Sequence, residues 1–136
     1  MSEKEIILIV EDSSVNREML SRLLSRHGYR VWDAGCGQSA LEALEQGLPD
    51  LIVLDIMMEN LFSGLEVCKR LRMTPQLKDI PVIGVSGIGD ELDVHLSRWG
   101  DNEYFPVDEY FEKPLDRQKL LESVRLRINR GVRKRH

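Results

Sequence analysis

The sequence lacks an apolar run of the roughly 18 residues that a membrane-spanning helix needs. Its first ten residues also lack the basic segment, long apolar stretch and cleavage site of a signal peptide, so we expect none. Cysteine is scarce, and Cys36 and Cys68 lie far apart without the close spacing of a metal site. We expect both to be small apolar residues outside any disulfide, in a chain that resides in the cytoplasm.

The charge of the chain is acidic overall and unevenly distributed. The 136 residues include 19 Lys and Arg against 23 Asp and Glu, which gives a net charge of −4 at pH 7. Residues 117–136 have a local charge of +7, and subtracting it from −4 leaves −11 on residues 1–116. An acidic body disfavours nucleic acid as a partner and favours a divalent cation.

The basic end of the chain, residues 117–136, has three interpretations. Its Lys and Arg residues complement the dipole at the end of a solvated helix. They also suit a linker to an output domain outside this chain. We favour these two over a nucleic-acid contact, because no recognition-helix motif or interleaved aromatic residues accompany the basic residues.

Apolar runs alternate with helical patterns along the chain, whose length fits one domain. Continuous runs, typical of strands buried on both faces, occupy residues 6–10, 51–54 and 80–85. Weaker strands are predicted at residues 29–32 and 110–111. Helical spacing of apolar residues occurs in segments 15–24, 40–48, 65–71, 91–99 and 120–128. Because strands that alternate with helices are joined by crossovers, we predict a doubly wound α/β domain with a parallel five-stranded sheet.

Polar side chains follow the predicted strands at their carboxyl ends: Glu11 and Asp12, then Asp55, then Ser86, then Lys113. In a parallel sheet these ends meet at one edge, where ligands bind. Three carboxylates repel each other and favour a hard cation such as Mg²⁺. Asp55 is a candidate nucleophile that forms an aspartyl phosphate, while Ser86 and Lys113 are candidates to bind phosphoryl oxygens.

Each of these residues also has a plainer interpretation. Asp55 alone is a strand-end acid, and Asp12 or Ser13 is a helix cap. Ser86 alone is a turn residue and Lys113 a surface charge. The coincidence of all five groups at matching strand ends favours the chemical interpretation.

Four groups of residues resemble, in order, the motifs of the receiver domain of two-component response regulators. The groups are Val10-Glu11-Asp12 with Asn16-Arg17, Leu54-Asp55-Ile56-Met57-Met58, Val85-Ser86-Gly87 and Tyr110-Phe111-Glu112-Lys113-Pro114. Together they are highly specific, and the resemblance covers nearly the whole chain. It implies a flavodoxin-like strand order 2-1-3-4-5 with helices on both faces, a receiver domain over residues 1–129 and a basic tail over residues 130–136.

The resemblance also implies a magnesium site. In it, Asp12 and Asp55 bind Mg²⁺ directly with the backbone carbonyl of Met57, and Glu11 acts mainly through water. Asp55 is then the phosphoacceptor. The phosphoryl donor is a sensor histidine kinase or a phosphotransfer protein, and the signal passes to a downstream protein partner or output domain, with no membrane involved.

The remaining site residues take switch roles in the same resemblance. Ser86 and Lys113 hold the phosphoryl group, and Tyr110 is the aromatic residue that turns inward when the hydroxyl moves. The Lys113-Pro114 bond is expected to be cis. Such a domain assists its own phosphorylation and dephosphorylation, yet it is a signalling switch and not an enzyme.

The sequence departs from the family pattern in two loops. Glu59 replaces a usual proline, and Gly64 lies one residue late, which indicates an insertion in residues 59–63. Residues 100–109 are longer than usual and include the apolar group Tyr104-Phe105-Pro106. We interpret that group as local packing in preference to a binding patch, and we expect an altered partner surface.

Three other functions compete with the switch. The main rival is a receiver-like protein-binding module that is not phosphorylated. A flavin or nucleotide binder shares the fold class, but Glu11 and Asp12 would repel a phosphate. An aspartyl phosphatase normally has a second acid two residues after its nucleophile, where this chain has Met57. Because Met57 and Ile88 cannot orient a hydrolytic water, we also predict a long-lived aspartyl phosphate.

Overall fold

Strands form where the sequence has its apolar runs. The computed structural model describes residues 4–56, 61–86, 107–112 and 114–135, with side chains for all of these except 61–65, 86 and 130–135. The strands are β1 (Ile6–Val10), β2 (Arg30–Ala34), β3 (Leu51–Asp55), β4 (Val82–Ser86) and β5 (Glu109–Glu112). All neighbours are parallel, in the order β2-β1-β3-β4-β5. This confirms the predicted sheet and its strand order.

Helices occupy the crossovers between these strands. The described helices are α1 (Ser14–Arg26), α2 (Gly37–Gln46), α3 (Leu61–Met73) and α4 (Arg117–Arg135). The hydroxyl of Ser13 caps α1 by accepting a hydrogen bond from the Asn16 amide at 3.3 Å. Gly28 follows α1 with a φ of 92°, in the left-handed region that glycine adopts without a steric penalty.

Three of the boundaries that differ from their predicted places have a simple physical reason. The Tyr29 amide donates to Leu24 in the turn after α1, so β2 begins one residue later. Pro81 has no amide hydrogen for the ladder, and β4 begins after it. Helix α3 begins at Leu61, before Gly64 and before the predicted segment 65–71, so the predicted start after that glycine was wrong. A glycine inside a helix costs only about 1 kcal/mol, which packing can offset.

The sheet separates two hydrophobic cores, because successive strand residues point to opposite faces. Leu8 and Val10 of β1 belong to the core on the side of α2 and α3. Ile7 and Ile9 belong to the core on the side of α1 and α4. Helices therefore cover both faces of the sheet, as predicted.

The amino-terminal edge of β4 and β5 is held by one carboxylate. Oδ2 of Asp108 accepts hydrogen bonds from the Val82 amide at 2.7 Å and from Nη2 of Arg72 at 3.0 Å. The same guanidinium donates to the carbonyl of Lys78 at 2.8 Å, and Nη2 of Arg127 donates to the carbonyl of Asp108 at 2.9 Å. This group, which we call the Asp108 clamp, joins α3, β4, β5 and α4.

Several predictions concern residues outside those that the structure describes: the replacement of a proline at Glu59, the helix at 91–99, the apolar group at 104–106 and the Lys113-Pro114 bond. Helix α4 runs across the predicted domain boundary at residue 129, and that boundary stays a prediction. Within the described part of the chain, no helix combines the length and apolar character needed to cross a membrane.

Candidate functional site

Three carboxylates meet at the carboxyl edge of the two central strands. Val10 is paired with Leu54, so the residues that follow them, Glu11 and Asp55, lie beside each other. Asp12 comes next in the loop that leads to α1. The chain passes from β1 to β2 on one side of this point, and β3 lies on the other side. Such a reversal of strand order opens the crevice where doubly wound sheets bind ligands.

The cluster has the chemistry of a hard-cation site. One carboxylate oxygen from each of Glu11, Asp12 and Asp55 lies within 4.8 Å of the others. Octahedral Mg²⁺ with bonds of about 2.1 Å places its ligand oxygens roughly 3 to 4 Å apart, so the residues fit this ion with little rearrangement. Glu11 and Asp55 are only 2% and 6% exposed, whereas Asp12 is exposed to solvent. The site therefore has a buried floor and one open side.

Backbone hydrogen bonds fix the positions from which these carboxylates project. The Glu11 amide donates to the carbonyl of Ala34 at the end of β2, at 3.0 Å. On the other side of Asp55, the amide of Ile56 donates to the carbonyl of Val85 in β4, at 2.9 Å. Glu11 and Asp55 are thus attached to the strands on either side of the central pair.

Gly84 makes room for the residue that follows Asp55. A Cβ atom at Gly84 would lie 2.9 Å from Cδ1 of Ile56 and 3.3 Å from Cγ1 of Val107. Ile56 is fully buried, so its side chain has little space in which to move. The absence of a side chain at Gly84 therefore leaves room for Ile56, the residue after Asp55, to pack in the core on the side of α2 and α3.

Arg17 contacts the acidic loop from the first turns of α1. Its Nη1 donates to the carbonyl oxygen of Glu11 at 2.8 Å, and its Nε lies 3.9 Å from Oδ2 of Asp33. A Cβ atom at Gly35 would be 3.1 Å from the same Nη1. From the sequence, Arg17 is recognised only as part of a motif, and no role can be assigned to it. Any residue presents a backbone carbonyl, so the sequence does not reveal which carbonyl an arginine will bind.

The other predicted site residues fall partly outside the described part of the chain. Ser86 ends β4 at the same edge of the sheet, where it is paired with Glu112, but its side chain is not among those described. Tyr110 is half-buried against the core on the side of α2 and α3. Met57 and Lys113 lie outside the described residues.

The sequence is similar to proteins of one family. Residues 7–125 match the family model of the response regulator receiver domain. The transcriptional regulatory protein AfsQ1 of Streptomyces coelicolor is 35% identical over 127 residues, which cover 93% of this chain and 52% of that protein. The response regulator MprA of Mycolicibacterium vanbaalenii is 36% identical over 124 residues, which cover 91% of this chain and 50% of that protein. The chain thus spans about half the length of these curated relatives.

Solved structures show the same similarity. The signal receiver domain of a signal transduction histidine kinase from Syntrophus aciditrophicus superposes with a TM-score of 0.80 at 32% identity, covering 92% of this chain and 90% of that one. The chemotaxis response regulator CheY4 of Vibrio cholerae superposes with a TM-score of 0.78 at 25% identity, covering 92% and 99%. The matched segment of the sequence includes all three clustered carboxylates.

Proposed function

The chain belongs to the response regulator receiver domain family of two-component systems, and on this premise we propose that it accepts a phosphoryl group on Asp55 and changes conformation in response. The proposal rests above all on the cluster of Glu11, Asp12 and Asp55 at the switch point of the sheet. Receiver domains act as signalling switches and not as classical enzymes. We propose the same for this chain.

In the proposed reaction, a carboxylate oxygen of Asp55 attacks the phosphorus of the donor. A new oxygen–phosphorus bond forms as the bond to the leaving group breaks, and that group leaves with the bonding electron pair. Mg²⁺ bound at Asp12, Asp55 and the Met57 carbonyl, with Glu11 acting through water, would neutralise charge on the transferred group.

Two further residues would bind the transferred group. Ser86 would donate a hydrogen bond to one phosphoryl oxygen, and the ammonium group of Lys113 would neutralise another. Tyr110 would turn inward as Ser86 moves. These movements would change the surface at the carboxyl ends of β4 and β5 and so report the phosphorylated state.

The burial of the cluster supports this assignment. Asp55 is almost completely buried beside two other carboxylates, and a bound cation would stabilise this arrangement of negative charge. Asp12 is exposed, so a donor would approach from its side. A plain helix cap or strand-end acid requires neither the burial nor the convergence of three carboxylates.

We propose as partners a sensor histidine kinase or phosphotransfer protein and a downstream protein or output domain. A cytoplasmic location and a receiver domain that spans residues 1–129 belong to the same proposal. The body of residues 1–116, with its charge of −11, disfavours nucleic acid as a direct partner.

The test is phosphorylation by acetyl phosphate with Mg²⁺, followed by intact mass measurement. We expect wild type to gain one phosphoryl group, and Asp55→Asn to gain none because an amide is a poor nucleophile. Asp79→Asn, at an exposed position in the loop before β4, is the matched control and should be phosphorylated normally. A wild-type protein that gains no mass would favour the binding module without phosphorylation, and a gain in Asp55→Asn would show another acceptor.

A further inference from the structure

Arg17 holds the peptide group that links two of the clustered acids. Its Nη1 donates to the Glu11 carbonyl at 2.8 Å, while the Glu11 amide donates to Ala34 at 3.0 Å. Both backbone groups of Glu11 are therefore bonded, one to β2 and the other to α1. The Glu11 carbonyl belongs to the peptide group that joins Glu11 to Asp12. The hydrogen bond from Arg17 therefore restrains the backbone from which the Asp12 side chain projects.

The guanidinium is itself held in place on a second side. Its Nε lies 3.9 Å from Oδ2 of Asp33, and the Arg17 side chain is 26% exposed. Gly35 leaves the space that Nη1 occupies, since a Cβ atom there would be 3.1 Å away. Arg17 thus joins the loop after β1 to the loop after β2, and the contact is more constrained than that of a surface arginine.

We propose that Arg17 is a positioning residue of the metal centre, which raises Mg²⁺ affinity by orienting the Glu11-Asp12 peptide so that the Asp12 and Asp55 carboxylates face one ion. The inference rests on the proposed function, because it assumes that the carboxylate cluster binds Mg²⁺. It adds a residue that contacts neither the ion nor the phosphoryl group.

Two effects of Arg17 on a bound cation have opposite signs. Its positive charge repels Mg²⁺, so removal of the charge alone would tighten binding. Its hydrogen bond orients the ligands, so removal of the bond would weaken binding. Partners that orient metal ligands typically change metal affinity about 10- to 100-fold. Because the guanidinium is partly exposed and solvent screens its charge, we expect positioning to dominate.

The experiment measures the Kd for Mg²⁺ of the unphosphorylated full chain by titration calorimetry. We expect Arg17→Met to weaken binding about tenfold, and Arg17→Lys, which keeps the charge and a hydrogen-bond donor group, to weaken it less. Arg22→Met is the matched control: Arg22 lies on the same helix, is exposed, and pairs with Glu18 at 2.7 Å. It should leave the Kd unchanged.

A second variant keeps Arg17 and moves it. Gly35→Ala would displace the guanidinium by a few tenths of an ångström, and because that side chain is flexible at its end, the variant should fold. We expect it to weaken Mg²⁺ binding by less than Arg17→Met does. If circular dichroism shows that Arg17→Met is unfolded, the Kd of Gly35→Ala for Mg²⁺ tests the positioning role instead.

The outcomes separate this inference from the proposed function. A wild-type chain that binds no Mg²⁺ and gains no phosphoryl group contradicts the proposed function. A wild-type chain that binds Mg²⁺, with variants at Arg17 and Gly35 that bind it equally or more tightly, overturns the positioning role alone. Weaker binding in folded variants with Arg22→Met unchanged supports it.

Discussion

The two cysteines, Cys68 and Cys36, differ in how accessible their thiol groups are. Cys68 is 1% exposed on the inner face of α3, and burial raises its pKa to about 12, with a smaller opposing effect from Arg72. The prediction of a small apolar residue is confirmed for Cys68. Cys36 instead lies half-buried at the start of α2, where its Sγ accepts a hydrogen bond from the Ser39 amide at 3.5 Å.

This difference predicts selective alkylation. At pH 9 an ordinary thiol with a pKa of 9.0 is half ionised, whereas Cys68, with a pKa of about 12, stays protonated and is also inaccessible. We expect iodoacetamide to modify Cys36 in the folded protein and to spare Cys68, as measured by peptide mass spectrometry. In denaturant both should react at similar rates. Rapid labelling of Cys68 under native conditions would contradict its burial.

The raised pKa also determines how Cys68 affects stability at alkaline pH. Because its pKa is higher in the folded state, the folded protein holds the thiol proton more tightly than the unfolded chain. The stabilisation is therefore complete below about pH 9 and decreases as the pH rises towards about 12.

At the scale of single residues, the sequence predicted the groups that stand at strand ends and missed those that act on the backbone. Glu11 and Asp55 were recognisable because each comes directly after a continuous apolar run, and Asp12 because it follows Glu11. The roles of Arg17 and Asp108 were not, since each acts on backbone groups that any residue type would present.

At the scale of elements, the buried strands in the middle of the sheet were predicted more accurately than the strands at its edges. Strands β1 and β3, which lie in the middle of the sheet, occur where the apolar runs placed them. Strands β2 and β5 lie at the edges, and the start of β2 is set by the hydrogen bond from the Tyr29 amide to Leu24 and not by composition. The predicted start of α3 was wrong because glycine is only a weak helix breaker, so the helix continues through Gly64.

The Asp108 clamp gives a prediction for the elements that it joins. Asp108→Ala leaves the Val82 amide and the Arg72 guanidinium without their carboxylate partner, so we expect the free energy of unfolding to fall by about 1 to 2 kcal/mol. Denaturant unfolding measures this loss, with Asp79→Ala as an exposed control in the loop before β4. The Mg²⁺ affinity should not change, because the clamp lies at the opposite edge of the sheet from Asp55. A large change in Mg²⁺ affinity would show that the clamp at the amino ends of the strands is coupled to the carboxylate cluster at their carboxyl ends.

At the scale of the whole molecule, the fold and the position of the site could be predicted from the alternation of runs and helices. The route by which a signal leaves the domain could not. It would involve the loops at residues 59–63 and 100–109, where the sequence departs from the family pattern and which lie partly outside the described residues.

Together with the proposed function, the sequence also gives a prediction for the lifetime of the aspartyl phosphate. Met57 and Ile88 are apolar and cannot orient a hydrolytic water, so we expect wild type to lose its phosphoryl group slowly. Met57→Asn should speed the loss by about tenfold, because a positioned polar group assists the attacking water. Phosphoprotein decay followed by mass spectrometry measures the rate, and Met73→Asn, at a methionine that is 82% exposed, is the control. An unchanged rate in Met57→Asn, and likewise in Ile88→Thr, would refute the idea.

The two cores are completed at different times during synthesis. The core on the side of α2 and α3 is built mainly from residues up to Val82, whereas the other requires Leu120, Leu121, Val124 and Ile128 of α4. Until these residues leave the ribosome, that face of the nascent sheet can be covered only by α1, so part of its apolar surface stays exposed. Such a surface is prone to aggregation and is the kind that chaperones bind. The same helix that completes the fold therefore determines how long the growing chain needs protection.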